Sequence, residues 1–303
     1  MARLLEGKIA IVTGAAHGIG RGHALELARH GATVVVADPG TSVAGDGTGA
    51  DADEVAELIV KRGGTAIADY ADIADEAQAG ALVDRTVAEF GRLDIVVNNA
   101  GIARDRVIWN MTPEDFDSVM RVHVRGTWLM THLVARHWRA RAKAGERTTG
   151  RVINTTSGAG LSGNFGQSNY ATAKAAIVGL TLTTSLELYK LGVTVNAVGP
   201  GGMTRLTASM SPELTAFEPD DLGEEEYHPM DPAGSSPLVA WLASDEAQHV
   251  TGQVIRVIHD RIHLMGGWHE AVTIASGEKR WDATTLGMRL ATDLFGTRAP
   301  GLR

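Results

Sequence analysis

Cysteine is absent from the 303-residue sequence, and this absence limits the chemistry that the protein can perform. Disulfide bonds and thiolate-bound metal ions both require cysteine sulfur, so neither can form. The absence also fits a reducing compartment. The eleven histidines show no metal-binding spacing: His259 and His263 stand four residues apart, but no helical pattern or third ligand accompanies them. We therefore expect no metal site.

Long apolar runs and an excess of basic residues are also missing. No run of about 18 apolar residues occurs, so we expect no membrane-spanning helix. The first residues lack the form of a signal peptide, because their short apolar run leads directly into a glycine-rich turn. The C-terminal string APGLR does not match an SKL-type peroxisomal signal. Without these signals we expect a cytoplasmic location. The formal net charge of -8 argues against binding to nucleic acid or to anionic membranes.

The residues that are present alternate between strand-like and helix-like segments. Short apolar runs, typical of parallel strands covered on both faces, occur at 8–14, 32–38, 65–72, 93–101, 150–157, 193–200 and 252–259. Helical segments follow at 20–31, 50–64, 75–91, 113–142, 168–191 and 234–244. This order predicts an α/β protein with a doubly wound parallel sheet, the Rossmann fold. We expect one domain over 1–267 with a mobile lid at 204–232, and a C-terminal tail over 268–303 for packing or oligomer contact.

A glycine-rich turn connects the first predicted strand to the first predicted helix. The string TGAAHGIG places Gly14, Gly18 and Gly20 in GxxxGxG spacing. Glycine lets the backbone approach a pyrophosphate, and a helix N-terminus offers free N–H groups and the positive end of its dipole. At this place in an α/β pattern, the turn predicts a dinucleotide site.

Polar residues also end the second and fourth predicted strands. A carboxylate at Asp38 would accept hydrogen bonds from the adenosine ribose and repel a 2′-phosphate, which favours NAD over NADP. The alternative is that Asp38 only opens the turn at Pro39, where aspartate is common. The string NNAG at 98–101 suits contacts with the cofactor or with neighbouring backbone.

Tyr170 and Lys174 stand four residues apart in a predicted helix. This spacing puts both on one helix face, where an ammonium favours the phenolate and the phenol can exchange a proton with a substrate. The alternative is a solvated pair without a catalytic role. Ser157 lies thirteen residues before Tyr170, and this offset favours it over the neighbouring hydroxyls of Thr155, Thr156, Ser162 and Ser168.

These strings together resemble the short-chain dehydrogenase/reductase family. The resemblance covers residues 8 to about 260 and rests on TGxxxGxG at 13–20, Asp72 before Ile73, NNAG at 98–101, Ser157, Tyr170-x-x-x-Lys174 and Pro200-Gly201. It implies that Lys174 also binds the nicotinamide ribose and that Ser157 hydrogen-bonds the reacting oxygen. His17 stands where NADP-dependent members often carry Arg or Lys, which again favours NAD. The resemblance further implies a homodimer or homotetramer with contacts through the helices at 113–142 and 168–191.

Longer strings resemble one branch of that family, the (3R)-hydroxyacyl-CoA dehydrogenase portion of peroxisomal multifunctional enzyme type 2, which is also called a hydroxysteroid dehydrogenase. They are NNAGIARDR at 98–106, RVHVRGTW at 121–128 and GNFGQSNYATAK at 163–174. Like that branch, the chain has His123 where most of the family has an asparagine that helps to hold the active-site lysine through water. A histidine there can hold water, relay protons and titrate near neutral pH. The alternative is a histidine satisfied within the core.

The resemblance therefore implies an oxidoreductase that interconverts a secondary alcohol and a ketone with NAD. We expect a small-molecule substrate, a 3-hydroxyacyl-CoA or, alternatively, a hydroxysteroid or other lipophilic alcohol; a dinucleotide-binding regulator without catalysis is a third alternative. The predicted catalytic residues are Ser157, Tyr170, Lys174 and His123. The predicted cofactor-binding residues are Gly14, His17, Gly18, Ile19, Gly20, Asp38, Asp72, Ile73, Asn99, Ala100, Gly101, Tyr170, Lys174, Pro200, Gly201 and Thr204.

Two further segments predict how the substrate is held. We expect Asn164, Phe165, Gly166 and Gln167 to form one pocket wall, and the apolar side of the lid to comprise Met203, Leu206, Met210, Leu214 and Phe217. An apolar pocket suits an acyl chain or a steroid. Candidates for binding CoA phosphates are Arg104, Arg106 and Arg205, although seven acidic residues also lie at 213–226 within the lid.

Overall fold

Eight strands form one sheet within the residues that the computed structural model describes, which are 3–209, 213, 215–222, 227–267, 273–276, 280–283, 286 and 290. The strands are β1 (Ile9–Thr13), β2 (Thr33–Ala37), β3 (Thr65–Asp69), β4 (Ile95–Asn98), β5 (Arg151–Thr155), β6 (Thr194–Pro200), β7 (Val254–Ile258) and β8 (Arg261–Leu264). Their spatial order is β3-β2-β1-β4-β5-β6-β7-β8. Pairing is parallel from β3 through to β7. The predicted doubly wound parallel sheet is confirmed, and its connections change direction between β1 and β4.

Strand β8 is a correction to the predicted architecture, in which 252–259 was the last strand. It pairs with β7 in antiparallel fashion, with Ile258 opposite Arg261. The two residues between them include His259, which has a positive φ of 55°, as a tight hairpin requires. All four β8 residues are exposed, so the strand lacks the burial pattern from which strands are predicted.

Nine α-helices cover the sheet within the described residues. They are α1 (Gly18–Arg29), α2 (Asp51–Lys61), α3 (Glu76–Phe90), α4 (Pro113–Met120), α5 (Thr127–Lys143), α6 (Gly158–Ser162), α7 (Ser168–Leu188), α8 (Arg205–Ala208) and α9 (Ser236–Ala243). One core cluster packs α1, α2 and α9 against the sheet, and a second packs α3 and α5 against its other face. Both faces of the sheet are therefore buried at its centre, as at β1, β4 and β5, which explains why these strands show no polar alternation.

The predicted single helix over 113–142 is wrong in detail, because a π-helical segment at Arg121–Gly126 separates α4 from α5. Inserted turns of this kind occur often at functional sites. Here the segment contains His123, which is buried. The short helix α6 was also not predicted; its first turn is capped by Ser157, whose Oγ accepts a hydrogen bond from the Ala159 N–H at 3.3 Å.

The chain divides into two compact units, Met1–Met265 and Gly266–Arg303. The sheet and its helices belong to the first. In the second, the described residues include Trp281, which is 41% exposed, and a backbone hydrogen bond of 3.0 Å from Leu286 N–H to the Asp282 carbonyl. The tail at 268–303 was predicted to serve in packing or oligomer contact, and most of its residues lie outside those described.

Candidate active site

A cleft of about 830 Å³ lies at the carboxyl ends of the strands, the edge at which doubly wound sheets bind ligands. Its wall includes Gly14 after β1, Asp38 after β2, Asn99 after β4 and Ser157 after β5. Every predicted catalytic and cofactor-binding residue lines this cleft. The fold therefore brings together, from distant parts of the chain, the side chains that the sequence singled out.

The glycine turn is shaped for close backbone approach. Gly14 has a φ of 63°, and a Cβ at this position would lie 2.6 Å from Ala100 Cα, so only glycine fits between β1 and the NNAG string. Asn99 Nδ2 donates hydrogen bonds to the Thr13 and Gly14 carbonyls at 3.1 and 3.0 Å. Asn99 thus fixes the turn by backbone contacts, one of the two uses predicted for NNAG.

The lid residue Glu218 binds at the N-terminus of α1. One carboxylate oxygen accepts a hydrogen bond from the Gly18 N–H at 2.6 Å, and the other lies 2.9 Å from His17 Nδ1. The contact is reinforced by Arg21, which donates two hydrogen bonds to Asp220 at 2.6 and 2.7 Å. The Glu218 carboxylate stands in for a phosphate oxygen, because both are anions bound by a helix N-terminal amide. The cradle therefore fits a pyrophosphate, which would have to displace Glu218.

His17 lies between two carboxylates in this cradle. Its Nδ1 faces Glu218, and its Nε2 lies 2.9 Å from Asp51 Oδ2. The hydrogen bond with Glu218 is the main cause that raises the pKa of His17; burial opposes it and the bond with Asp51 adds to it. The His17 imidazolium is thus stabilised by acidic groups that the sequence analysis did not connect with it.

Asp38 supports both interpretations that the sequence left open. Its Oδ1 accepts a hydrogen bond from the Gly40 N–H at 2.9 Å, which holds the turn after Pro39. Its Oδ2 accepts one from the Ala16 N–H of the glycine turn at 3.1 Å. A carboxylate oxygen can accept more than one hydrogen bond, so this structural role leaves capacity for ribose hydroxyls.

Asp72 and Ile73 line the cleft beside the cradle. Asp72 Oδ2 accepts a hydrogen bond from Arg121 at 2.5 Å, and its Oδ1 accepts one from the Ala74 N–H at 2.9 Å. Ile73 is buried. On the opposite wall, Thr204 caps α8 through a 3.2 Å bond from the Thr207 N–H.

Ser157, Tyr170 and Lys174 meet at the other end of the cleft. Lys174 is 2% exposed, and its Nζ donates a 2.8 Å hydrogen bond to the Thr155 carbonyl. The same Nζ lies 5.5 Å from the centroid of the Tyr170 ring. The chain runs from β5 through the short helix α6 into α7. Tyr170 and Lys174, in the first turns of α7, therefore face the end of β5, next to which Ser157 lies.

Burial controls the ionisation of Lys174 and Tyr170. It lowers the pKa of Lys174 to about 7. Burial also raises the pKa of Tyr170, and a hydrogen bond with Ser157 partly opposes the increase. The sequence analysis expected the ammonium to lower the phenol pKa, but it did not account for desolvation, which here has the larger effect.

His123 is 1% exposed and contacts Tyr170 edge to face, with ring centroids 5.3 Å apart. Its Nε2 lies 3.1 Å from the Ile102 N and 2.9 Å from the Ile102 carbonyl. Among the described residues, its buried Nδ1 has no hydrogen-bond partner. Burial and then the Lys174 charge lower the pKa of His123 to about 3. The expectation that it titrates near neutral pH is therefore wrong, because the ring is neutral there.

The predicted substrate residues are only partly brought together. Asn164 and Gln167 line the cleft, but Phe165 points away and is 82% exposed. On the lid side Leu206 lines the cleft, whereas Phe217 packs against His228 with centroids 4.9 Å apart. Met210 and Leu214 lie outside the described residues.

The three arginines predicted to bind CoA phosphates likewise do not all lie in the cleft. Arg205 lines the cleft. Arg104 is engaged with Asp46 at 3.3 Å, and Arg106 pairs with Asp115 at 3.0 Å. Only Arg205 of these three is therefore placed to meet a ligand in the cleft.

Two residues at the cleft were not singled out from the sequence: Glu218, which contacts the cleft residues Gly18 and His17, and Arg256. Glu218 was counted among the acidic lid residues, but nothing in its local sequence indicates that it reaches the glycine turn some 200 positions earlier. Arg256 also lines the cleft. A signal for Arg256 was available, because it is the one charged residue in the apolar strand VIRVI.

Comparisons with known proteins identify the family of the chain. A family model described as short chain dehydrogenase matches residues 8–215. Hydroxyacyl-CoA dehydrogenase ChsB1 of Mycobacterium tuberculosis is 40% identical over 301 residues, which cover 98% of this chain and 91% of the relative. A crystal structure of a short chain dehydrogenase from Mycobacterium avium matches with a TM-score of 0.86 and 43% identity, covering 98% of each chain. The chain belongs to the short-chain dehydrogenase family, whose members typically use a nicotinamide dinucleotide.

Peroxisomal multifunctional enzyme type 2 of Mus musculus is 36% identical over 281 residues. The match covers 92% of this chain but only 33% of the mouse enzyme. The similarity noted in the sequence to a portion of that enzyme is confirmed, and this chain corresponds to about a third of its length.

Within the described part of the chain, no helix is both long and apolar enough to span a membrane. The same residues contain no group of three or more His, Cys, Asp or Glu side chains arranged to hold a metal ion.

Proposed function

We propose that the protein is an NAD-dependent dehydrogenase that interconverts a 3-hydroxyacyl-CoA and its 3-oxoacyl form. The observation that carries this proposal is the meeting of Ser157, Tyr170 and Lys174 in one cleft with a dinucleotide cradle. The names of the relatives from Mycobacterium tuberculosis and mouse support an acyl-CoA substrate. A regulator without catalysis would not need these three side chains together.

Each of the three side chains has a distinct task. In oxidation, the Tyr170 phenolate accepts the proton of the substrate hydroxyl; in reduction, the phenol donates it to the carbonyl oxygen. Ser157 donates a hydrogen bond to that same oxygen. Lys174 stabilises the phenolate, because a nearby opposite charge favours the ionised form. The nicotinamide ring, when bound, supplies the hydride acceptor and a positive charge.

His123 is proposed to act in support of this trio. Its neutral ring packs against Tyr170, and its unpartnered Nδ1 can accept a hydrogen bond from a water. Such a water would connect the buried end of the site with Lys174. His123 would then position this water for proton transfer while its own ring stays neutral.

NAD rather than NADP is supported by the acidic groups at the ribose end. Asp38 lies after β2, and its carboxylate would repel a 2′-phosphate. His17 Nε2 also lies 2.9 Å from Asp51 Oδ2, and this second carboxylate opposes a further phosphate in the same region. Among the cleft residues of the glycine turn, no arginine or lysine is present to compensate.

The location and assembly of the protein stay predictions. A homodimer or homotetramer is supported by apolar side chains exposed on α5, on α7 and directly after α7. These are Trp128, Leu182, Leu186 and Tyr189, which are 46%, 41%, 80% and 68% exposed. A cytoplasmic location rests on the sequence alone, and the mouse relative is named peroxisomal.

The test is a substrate panel that follows NADH absorbance. The panel contains (3R)-hydroxybutyryl-CoA, its (3S) isomer and a hydroxysteroid, each with NAD and with NADP. We expect oxidation of a hydroxybutyryl-CoA with NAD at a kcat/KM well above that with NADP. Oxidation of the steroid alone would favour the alternative substrate class, and activity with NADP alone would contradict the role of Asp38.

A further inference from the structure

Arg256 carries a charge into the catalytic end of the cleft without a hydrogen-bond or ion-pair partner in the described part of the chain. It lies in β7, lines the cleft and is half-buried. Its Nε is fully buried and donates a hydrogen bond to no partner among the described residues. Its guanidinium forms no ion pair with them either. Arg151, a buried arginine of β5, shows the contrast: its guanidinium donates to the Ser244 carbonyl at 3.1 Å and to Gln248 at 2.8 Å.

Two glycines provide the space that the Arg256 side chain occupies. Gly199 lies opposite Arg256 in the sheet, and a Cβ there would stand 3.2 Å from Arg256 Cγ. A Cβ on Gly158 would stand only 2.6 Å from Arg256 Nη2. Any side chain at Gly158 would therefore displace the guanidinium. Because Gly158 directly follows Ser157, the guanidinium contacts the backbone next to the proposed oxygen-binding serine.

The buried Nε of Arg256 lacks an acceptor among the described residues, and a ligand oxygen in the cleft would supply one. Partial burial of a charge costs free energy unless hydrogen bonds compensate for the lost water. Guanidinium N–H groups form a planar fork that suits a carbonyl or carboxylate oxygen. Lys174, which lines the same cleft, already donates from its Nζ to the Thr155 carbonyl, whereas Arg256 lacks an acceptor among the described residues.

We propose that Arg256 binds the acyl oxygen of the substrate, the oxygen carried on the carbon two bonds from the reacting carbinol. This inference rests on the proposed function and makes it more specific. In a 3-hydroxyacyl group the carbinol is held at Ser157 and Tyr170, and the acyl oxygen is the next polar atom along the chain. A hydroxysteroid or a plain secondary alcohol has only hydrocarbon at that distance. Arg256 would thus select β-hydroxyacyl compounds over other lipophilic alcohols.

The same acyl oxygen can come from a thioester or from a free carboxylate. The test therefore compares 3-hydroxybutyryl-CoA, free 3-hydroxybutyrate and 2-butanol, which share a reacting methyl carbinol but differ in the acyl oxygen. Each is assayed with NAD in the full-length wild-type chain and in Arg256→Leu, Arg256→Lys and Arg261→Leu. The last is the matched control, because Arg261 lies on the adjacent strand β8 with its side chain 77% exposed.

We expect Arg256→Leu to lower kcat/KM for the acyl substrates about 10- to 100-fold more than for 2-butanol, mainly through KM, as loss of a charged hydrogen bond predicts. Arg256→Lys should restore part of this loss, and Arg261→Leu should resemble the wild type. A larger loss with the free acid than with the thioester would identify a carboxylate as the preferred source.

Several outcomes would overturn the role of Arg256. Equal losses on all three substrates, or no change in KM for the acyl substrates, would show that the guanidinium has a structural role only. A change of oligomeric mass in Arg256→Leu would show that it contacts a second copy instead. If the wild type oxidises 3-hydroxybutyryl-CoA and Arg256→Leu does so equally well, this inference fails while the proposed function stands. If the wild type oxidises neither acyl compound, both fail.

Discussion

His17 and His123 line the same cleft, yet their pKa values shift in opposite directions. His17 lies between Glu218 and Asp51, and its hydrogen bonds with these carboxylates raise its pKa. His123 is buried beside Lys174, and this environment lowers its pKa to about 3. The comparison shows that residue type does not set the ionisation of a cleft histidine. Its pKa is set by the neighbouring charges and by the loss of contact with water.

The same contrast extends to the two ends of the cleft. The dinucleotide end already holds an anion, because Glu218 accepts the Gly18 N–H that a phosphate would need. The catalytic end holds the cations Lys174 and Arg256, neither of which forms an ion pair among the described residues. A cofactor phosphate that binds at the dinucleotide end must therefore replace the Glu218 carboxylate. A substrate that binds at the catalytic end instead supplies hydrogen-bond acceptors that this end lacks.

The largest expected effect is at the proton-transfer residue of the catalytic end. Tyr170→Phe keeps the ring but removes the hydroxyl, so kcat for 3-hydroxybutyryl-CoA should fall about 1000-fold, within the range for loss of a general acid or base. NAD binding, measured by titration, should persist because the glycine turn is untouched. Tyr189→Phe is the matched control, since Tyr189 is 68% exposed. If Tyr170→Phe keeps the wild-type turnover, Tyr170 is not the proton-transfer residue.

The second prediction concerns the effect of the buried Lys174 charge on the free energy of unfolding. Its pKa is about 7 in the folded protein and 10.5 in the ordinary reference state. Between these values the unfolded chain binds a proton that the folded chain does not, so the free energy of unfolding should rise with pH across this window. The Lys174 contribution is on the order of 4 kcal/mol, and Lys174→Met should lack it.

The measurement is denaturant unfolding of the wild type, Lys174→Met and Lys190→Met at neutral and alkaline pH. Lys190 is an exposed lysine shortly after α7 and serves as the control. An identical pH dependence in all three proteins would contradict the assigned burial of the Lys174 charge.

A smaller effect is expected at His123. His123→Ala should lower kcat about 10-fold, because the ring that packs against Tyr170 and the proposed water contact are lost, while NAD affinity changes little. Because the His123 pKa is about 3, the ring stays neutral from pH 5 to 8. The pH profile of kcat over that range should therefore keep its shape in the variant. His132→Ala controls for the loss of an exposed histidine on α5, and unchanged kcat in His123→Ala would exclude a supporting role.

The smallest expected effect is at the dinucleotide end. Glu218→Gln weakens the contacts with Gly18 and His17, so NAD should bind about 3- to 10-fold more tightly, as loss of a charge-assisted hydrogen bond from the competing state predicts. Glu213→Gln makes the same charge change on an exposed lid residue and should leave the affinity as it is. Weaker binding in Glu218→Gln would mean that Glu218 assists the cofactor rather than competing with it.

The sheet and the cleft lining could be predicted from the sequence because their signals are local. Apolar runs without alternation predicted all seven parallel strands, although each was predicted up to three residues too long at an end. Gly14, Ser157 and Tyr170 each follow or face a strand end, so the doubly wound order alone brings them to one edge. Strand β8 was missed because its four side chains are all exposed.

The electrostatics of the cleft could not be predicted in the same way. The contact of Glu218 with Gly18 joins the lid to a turn some 200 residues away, and its local sequence is only one of several acidic strings. The pKa of His123 depends on burial inside a π-helical segment that replaced the predicted continuous helix. Both features arise from tertiary packing, which residue spacing does not encode.

A crystal structure of the complex with NAD and 3-hydroxybutyryl-CoA tests the account most directly. We predict a phosphate oxygen within hydrogen-bond distance of the Gly18 N–H with Glu218 displaced, and the carbinol oxygen between Ser157 and Tyr170. A dinucleotide bound elsewhere while Glu218 keeps the Gly18 N–H, or a carbinol oxygen away from Tyr170, would contradict the account.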